Sequence, residues 1–275
     1  MSNTDFRHKR SLGQNFILDD AIIDRILNCA DLKPLDNVLE IGPGAGVMTA
    51  CMAEAAARVL AVEIDDSLAP ILDSALKTYS NAAVIYGDAL KIDLRDVIRS
   101  AFGEAPYRVV ANIPYNITTD IIIKLISLDQ KPLEISVMVQ REAADRIMAN
   151  PEQKAYCALS AKVRYYGEAK EVLRLPPEVF TPRPRVESSF LRIVPRETPQ
   201  FTPKDEKLFM RLIDLCFAMR RKTLLNNLKA GFAVPSETAA EWLRLAGIPR
   251  DARGEALELS EVARLCDIIS EQPCI

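Results

Sequence analysis

The chain has 275 residues, 49% of them hydrophobic, with a formal net charge of −3. That length buries a full core and suits two domains, and no run of about eighteen apolar residues is present to cross a membrane. The N-terminus has no apolar signal core, and the six cysteines (Cys29, Cys51, Cys157, Cys216, Cys266, Cys274) form no CxxC pair and no metal-like spacing with the lone His8, so a cytoplasmic protein with reduced, mostly core-filling thiols and no metal is expected.

Met1 to Lys9 is polar and is expected to be mobile. Val38-Leu39-Glu40-Ile41 reads as a buried parallel strand, Gly42-Pro43-Gly44-Ala45-Gly46 as a tight turn, and Val47 to Ala57 as a helix. A second strand, Arg58 to Val62, ends at Glu63. An acid about twenty positions after the first glycine of a strand, turn, helix, strand unit is placed to take the ribose hydroxyls of a nucleotide. The glycine spacing departs from the dinucleotide fingerprint, which favours an adenosine with an amino-acid tail over a pyrophosphate. Asp88, closing a third apolar run, suits an acceptor for an adenine amine, although an acid so placed is more commonly a loop acid or helix N-cap.

The most informative run is Asn112-Ile113-Pro114-Tyr115, at the end of the apolar strand Tyr107 to Ala111. An adenine amine is a poor nucleophile, because its lone pair is delocalised into the ring. A site that methylates it must hold both amine hydrogens so that the nitrogen can pyramidalise. The Asn112 side-chain oxygen and a backbone carbonyl near Ile113 or Pro114 suit that task. Pro114 restricts its own φ and the residue before it, and Tyr115 offers a flat ring for an extruded base. Catalysis would then be mainly positioning, without a dedicated base, since the methylated amine loses its proton easily. The plainer alternative is a turn that closes a strand.

Further along, Ile117 to Leu128 reads as a helix, Ile135 to Gln140 as a buried strand and Glu142 to Ala149 as a helix. Ala169 to Leu175 and Val186 to Val194 read as closing strands of the same sheet. The proline-rich Pro195 to Pro203 reads as a linker, followed by helices over Lys204 to Ala230, Ser236 to Ala246 and Ser260 to Ile269, the last two with serine N-caps. Two domains are expected, 1–195 and 196–275.

Five blocks carry a resemblance that spans nearly the whole chain: Leu12 to Asp19, Glu40 to Gly46, Asn112 to Asn116, Pro177 to Ser189, and Phe217 to Leu228. In them the sequence resembles the ribosomal RNA adenine dimethyltransferases, and the last block favours the bacterial small-subunit branch. The resemblance implies a Rossmann-like α/β class I methyltransferase sheet with a smaller all-helical C-terminal domain for RNA recognition. It implies S-adenosylmethionine as cofactor, contacted by Asn15, Ile17, Gly42, Glu63, Asp88 and Asn112. It implies catalysis by Asn112, Pro114 and Tyr115, with Phe180 facing the target base opposite Tyr115 unless it is an ordinary core aromatic. The implied substrate is two adjacent adenines near the 3′ end of 16S rRNA in the small ribosomal subunit. Nothing in the sequence resembles a coiled coil or a large exposed apolar helix, so a monomer is expected. Ile17 and Ile113 stand where the family usually has Leu, exchanges of similar volume.

The acidic net charge is unusual for an RNA partner. Arg7, Lys9 and Arg10, then Arg183 and Arg185, then Arg220, Arg221 and Lys222 are local basic clusters that suit phosphate if folding gathers them, and solvated faces if not. Three rivals follow: a large-subunit RNA methyltransferase of the antibiotic-resistance type, a nicotinamide-dependent oxidoreductase, which the glycine spacing disfavours, and a ribosome-assembly factor in which catalysis is secondary.

Overall fold

The computed structural model describes residues 16–17, 19–151 and 153–272. Asn15, His8, Cys274, the Arg7 to Arg10 cluster and the stretch expected to be mobile lie outside the described residues.

The chain runs β1 (Phe16–Ile17), α1 (Asp20–Ala30), β2 (Asn37–Ile41), α2 (Val47–Ala55), β3 (Arg58–Glu63), α3 (Ala69–Leu76), β4 (Ala82–Tyr86), α4 (Leu94–Phe102), β5 (Tyr107–Asn112), α5 (Thr118–Ile126), β6 (Ile135–Gln140), α6 (Arg141–Met148), α7 (Ala158–Tyr166), β7 (Gly167–Leu175), β8 (Phe180–Thr181), β9 (Ser188–Pro195), α8 (Glu206–Ala218), α9 (Leu224–Phe232), α10 (Ser236–Leu245) and α11 (Leu259–Ser270). Seven strands form one sheet in the order β4-β3-β2-β5-β6-β9-β7. The pairs from β4 to β6 are parallel, and β9 joins β6 antiparallel. The strand order reverses between β2 and β5, so the carboxyl ends of these two strands open a crevice where ligands of such sheets bind.

The parallel strands are nearly continuous apolar runs because helices cover both faces. Val38, Leu39, Val59, Val109 and Val137 have no exposed surface, and burying each such side chain contributes about 1.5–3 kcal/mol. Residues up to Ala144 with Ala169–Pro195 make one compact unit, and Asp145–Glu168 with the residues from Arg196 onward make the other. The expected boundary after 195 is one of the points where the chain changes unit; α7, which carries no strong helical periodicity in the sequence, belongs with the helical unit.

Two expectations need correction. The single helix over Lys204 to Ala230 is two helices, α8 and α9, broken at Met219, whose backbone leaves the helical region. A turn from Lys222 N–H to the Met219 carbonyl closes the break, and Arg220 is drawn to Glu255 (2.6 Å). Nor are the last two helices capped by serines: Ser236 is the first residue inside α10 and Ser260 the second inside α11. Their N-caps are Pro235 and Glu258, the latter in a reciprocal capping box with Glu261 that satisfies the same backbone donors a serine would. Of the described cysteines, Cys216 and Cys266 are buried, whereas Cys29, Cys51 and Cys157 are half-buried; all are free thiols.

Candidate active site

The crevice between β2 and β5 is an open cleft lined among others by Ile17, Glu40, Gly42, Gly44, Glu63, Asp88, Asn112, Pro114 and Tyr115. One wall is the glycine turn after β2. Gly42 and Gly46 hold φ of +75° and +80°, a region that L side chains rarely adopt. A Cβ on Gly46 would also lie 3.0 Å from the Leu72 side chain of α3. The turn is tied to the acid at the end of β3: Gly44 N–H donates to Glu63 Oε2 (3.1 Å) and Asp65 N–H to Oε1 (2.9 Å). Two backbone donors thus set the orientation of a carboxylate that is 2% exposed. Burial raises its pKa, and these amide bonds oppose the rise.

Asp88 joins this wall after β4. Its Oδ1 accepts from Leu90 N–H (3.0 Å) and its Oδ2 pairs with Lys91 (3.1 Å). The Leu90 bond first, then Lys91, holds its carboxyl below the usual range. The loop-acid role and a place in the cleft therefore coexist. The loop beyond it is tied to α5, where Lys124 donates to the carbonyls of Ala89 (2.9 Å), Leu90 (3.0 Å) and Ile92 (2.8 Å).

The facing wall is the turn after β5. Asn112 ends the strand opposite Met138 of β6. The Pro114 carbonyl accepts from Ile117 N–H (3.1 Å) and the Thr118 hydroxyl (3.2 Å), which closes the turn and starts α5. Both of its lone pairs are engaged, which leaves Ile113 as the better of the two backbone acceptors considered from the sequence. The Tyr115 hydroxyl meets Ser188 Oγ at 2.6 Å, and burial raises the phenol's pKa.

The remaining positions divide. Ile17 lines the cleft and pairs across the short β1–β8 ladder with Phe180. Phe180 is 2% exposed, sits in the core with Ile23 and Ile26, and is not among the cleft residues. Asn15 lies outside the described residues. Arg183 pairs with Glu178 and Arg220 with Glu255, while Arg185, Arg221 and Lys222 are exposed.

Sequence reasoning passed over Glu40, Lys124 and Ser188. Glu40 has no exposed surface; its Oε2 accepts from the Thr49 hydroxyl (2.6 Å) and its Oε1 is a buried acceptor with no partner among the described residues. Burial pushes its carboxyl up to about 8, with the Glu63 charge adding to the rise. A charged-type residue inside an otherwise apolar strand, two positions before the glycine turn, was the available signal. Lys124 and Ser188 carry no comparable mark. Among the described residues no cluster of side chains could hold a metal ion, and no helix is long and apolar enough to cross a membrane.

A cleft at the switch point of a mostly parallel sheet, a glycine turn after its first central strand and an acid ending the second define a Rossmann-like class I methyltransferase. The family model for ribosomal RNA adenine dimethylase matches residues 5–271. Proteins described as ribosomal RNA small subunit methyltransferase A are 44% identical in Streptococcus pyogenes serotype M1, over 97% of this chain and 93% of theirs, and 42% identical in Bacillus pumilus, over 97% and 92%. Among solved structures, a dimethyladenosine transferase from Plasmodium falciparum superposes with TM-score 0.71 at 26% identity, covering 91% of this chain and 95% of that one. The 23S rRNA methyltransferase ErmE superposes with TM-score 0.65 at 25% identity, covering 93% and 100%. The chain belongs to the ribosomal RNA adenine dimethylase family.

It is accordingly a methyltransferase whose methyl donor is S-adenosylmethionine. The cleft fits that donor. Glu63 offers an oriented carboxylate to vicinal hydroxyls, and the orphaned Glu40 Oε1 is an acceptor suited to a cationic amine.

Proposed function

We propose that this enzyme dimethylates N6 of two adjacent adenosines in the 3′-terminal hairpin loop of 16S rRNA within the small ribosomal subunit, acting as a cytoplasmic monomer and also taking part in subunit assembly. The observation that carries the chemistry is the Asn112–Tyr115 turn facing the Gly42–Glu63 wall across one cleft. The relatives named for the small-subunit enzyme support the choice of RNA over the large-subunit alternative.

When bound, S-adenosylmethionine supplies a methyl on positively charged sulfur. Glu63 would hold its ribose hydroxyls and Asp88 its adenine amine, with Asn15, Ile17, Gly42 and Asn112 completing the contacts. The Asn112 side-chain oxygen and the Ile113 carbonyl would accept the two amine hydrogens of the target, with the rigid Pro114 turn holding both in place. Tyr115 would stack on the base, and the proton leaves to solvent after transfer. Phe180 would complete a stacking clamp only by leaving the core position it occupies here. The helical unit, with Arg221 and Lys222 exposed on it, would supply RNA contacts.

The test is transfer of radiolabelled methyl to isolated small and large subunits from a strain lacking the activity, with mass analysis of the nucleosides. Dimethyladenosine at two adjacent small-subunit positions is expected. Label on large subunits alone would move the target to the other RNA.

A further inference from the structure

The Tyr115 hydroxyl lies 2.6 Å from Oγ of Ser188, a partner 73 positions away in the chain. Ser188 is the first residue of β9, has no exposed surface, and stands opposite Gln140 in the antiparallel ladder with β6. The next hydroxyl, that of Ser189, donates to Glu171 Oε1 at 2.5 Å. Glu171 in turn accepts from Arg141 (3.0 Å) and Arg174 (2.9 Å). The atom that meets Tyr115 is thus carried on a strand end fixed by backbone pairing and by an ionic cluster next door.

A tyrosine ring turns about two bonds, and its hydroxyl is the point furthest from the backbone. A bond at that tip restrains the swing of the ring more than any contact near Cβ. Because this catalysis is positioning, a small change in the ring plane alters how often the amine meets the methyl in line. We infer that Ser188 is a positioning residue for methyl transfer, holding the Tyr115 ring at the angle against which the target adenine stacks. This rests on the reading of Tyr115 as the stacking platform.

The experiment compares single-turnover methyl transfer to undermethylated small subunits by the full-length protein and by Ser188→Ala, Tyr115→Phe, the double variant and Tyr115→Ala, with cofactor affinity measured alongside by calorimetry. Ser188→Ala and Tyr115→Phe remove the same bond from opposite ends, and Tyr115→Phe leaves β9 untouched. Each is expected to slow transfer about fivefold, the size of one neutral hydrogen bond, with cofactor affinity unchanged. The double variant is expected to be no slower than either single one, because one bond cannot be lost twice. Losses that multiply, or Ser188→Ala and Tyr115→Phe at the unaltered rate while Tyr115→Ala is slow, would overturn the role of Ser188 and leave Tyr115 as the platform. Tyr115→Ala at the unaltered rate would overturn both.

Discussion

The two walls of the cleft are built in different ways. The wall proposed for the cofactor is held by backbone groups close in sequence: Glu63 takes the N–H of Gly44, nineteen positions before it, and of Asp65, two positions after it. The wall proposed for the substrate leans on a distant partner, since Tyr115 reaches Ser188 across 73 positions. A wall made of backbone donors is fixed once β2 and β3 pair. A wall made through side chains needs β9 in register as well, so substitutions on the two sides should separate binding from turnover.

The largest effect is expected at Asn112. Asn112→Ala removes the acceptor proposed to hold the amine as the lone pair is exposed, and turnover should fall on the order of 10²–10³-fold while cofactor affinity changes far less. Rapid-quench transfer with calorimetry on the same sample checks this, and equal losses in both would count against the role. Next comes Glu63→Gln, which turns one carboxylate oxygen into a donor facing a backbone N–H. Cofactor affinity should fall roughly tenfold or more, with a smaller change in the rate at saturating cofactor.

A backbone change on the cofactor wall should register in stability. Gly46→Ala places a Cβ at φ +80° and 3.0 Å from Leu72, and should cost about 1–2 kcal/mol. Thermal melts would show a loss of a few degrees, and an unchanged melting temperature would mean that the turn relaxes without cost.

A pH dependence comes from Glu40. Glu40 binds its proton more tightly when folded, near 8, than at its ordinary value of 4.5. The free enzyme therefore loses stability as pH rises through that window, because the unfolded carboxyl ionises there while the folded one keeps its proton. Glu40→Gln should flatten the fall in melting temperature between about pH 5 and 8. A cationic amine on Glu40 favours its charged form, so cofactor affinity should rise with pH over the same window in the unaltered protein and less in the variant. Parallel profiles for the two proteins would remove Glu40 from the site.

Much of this was legible in the chain. Strand Ile135–Gln140 falls where its apolar run predicts, and the glycine turn and Glu63 meet because the βαβ unit between them has a fixed handedness and short loops. The break between α8 and α9 was hidden because Met219, Arg220 and Arg221 are all acceptable helix residues, and the contacts at the stop, Arg220 with Glu255 and Lys222 N–H with the Met219 carbonyl, are made only in the fold. Ser188 was invisible for a related reason: a serine at a strand start says nothing of a tyrosine 73 residues earlier. Phe180 lies beside the cleft through its pairing with Ile17, yet its ring fills the core, a distinction that depends on which way β8 turns its side chains.

The most direct test is to measure cofactor dissociation constant and single-turnover methyl transfer together for Asn112→Ala and Glu63→Gln. Opposite patterns are expected: turnover lost with affinity changed far less in the first, and affinity lost with the saturated rate largely kept in the second. The same pattern in both variants would mean that the walls act as one structural unit, and would contradict a division of labour between them.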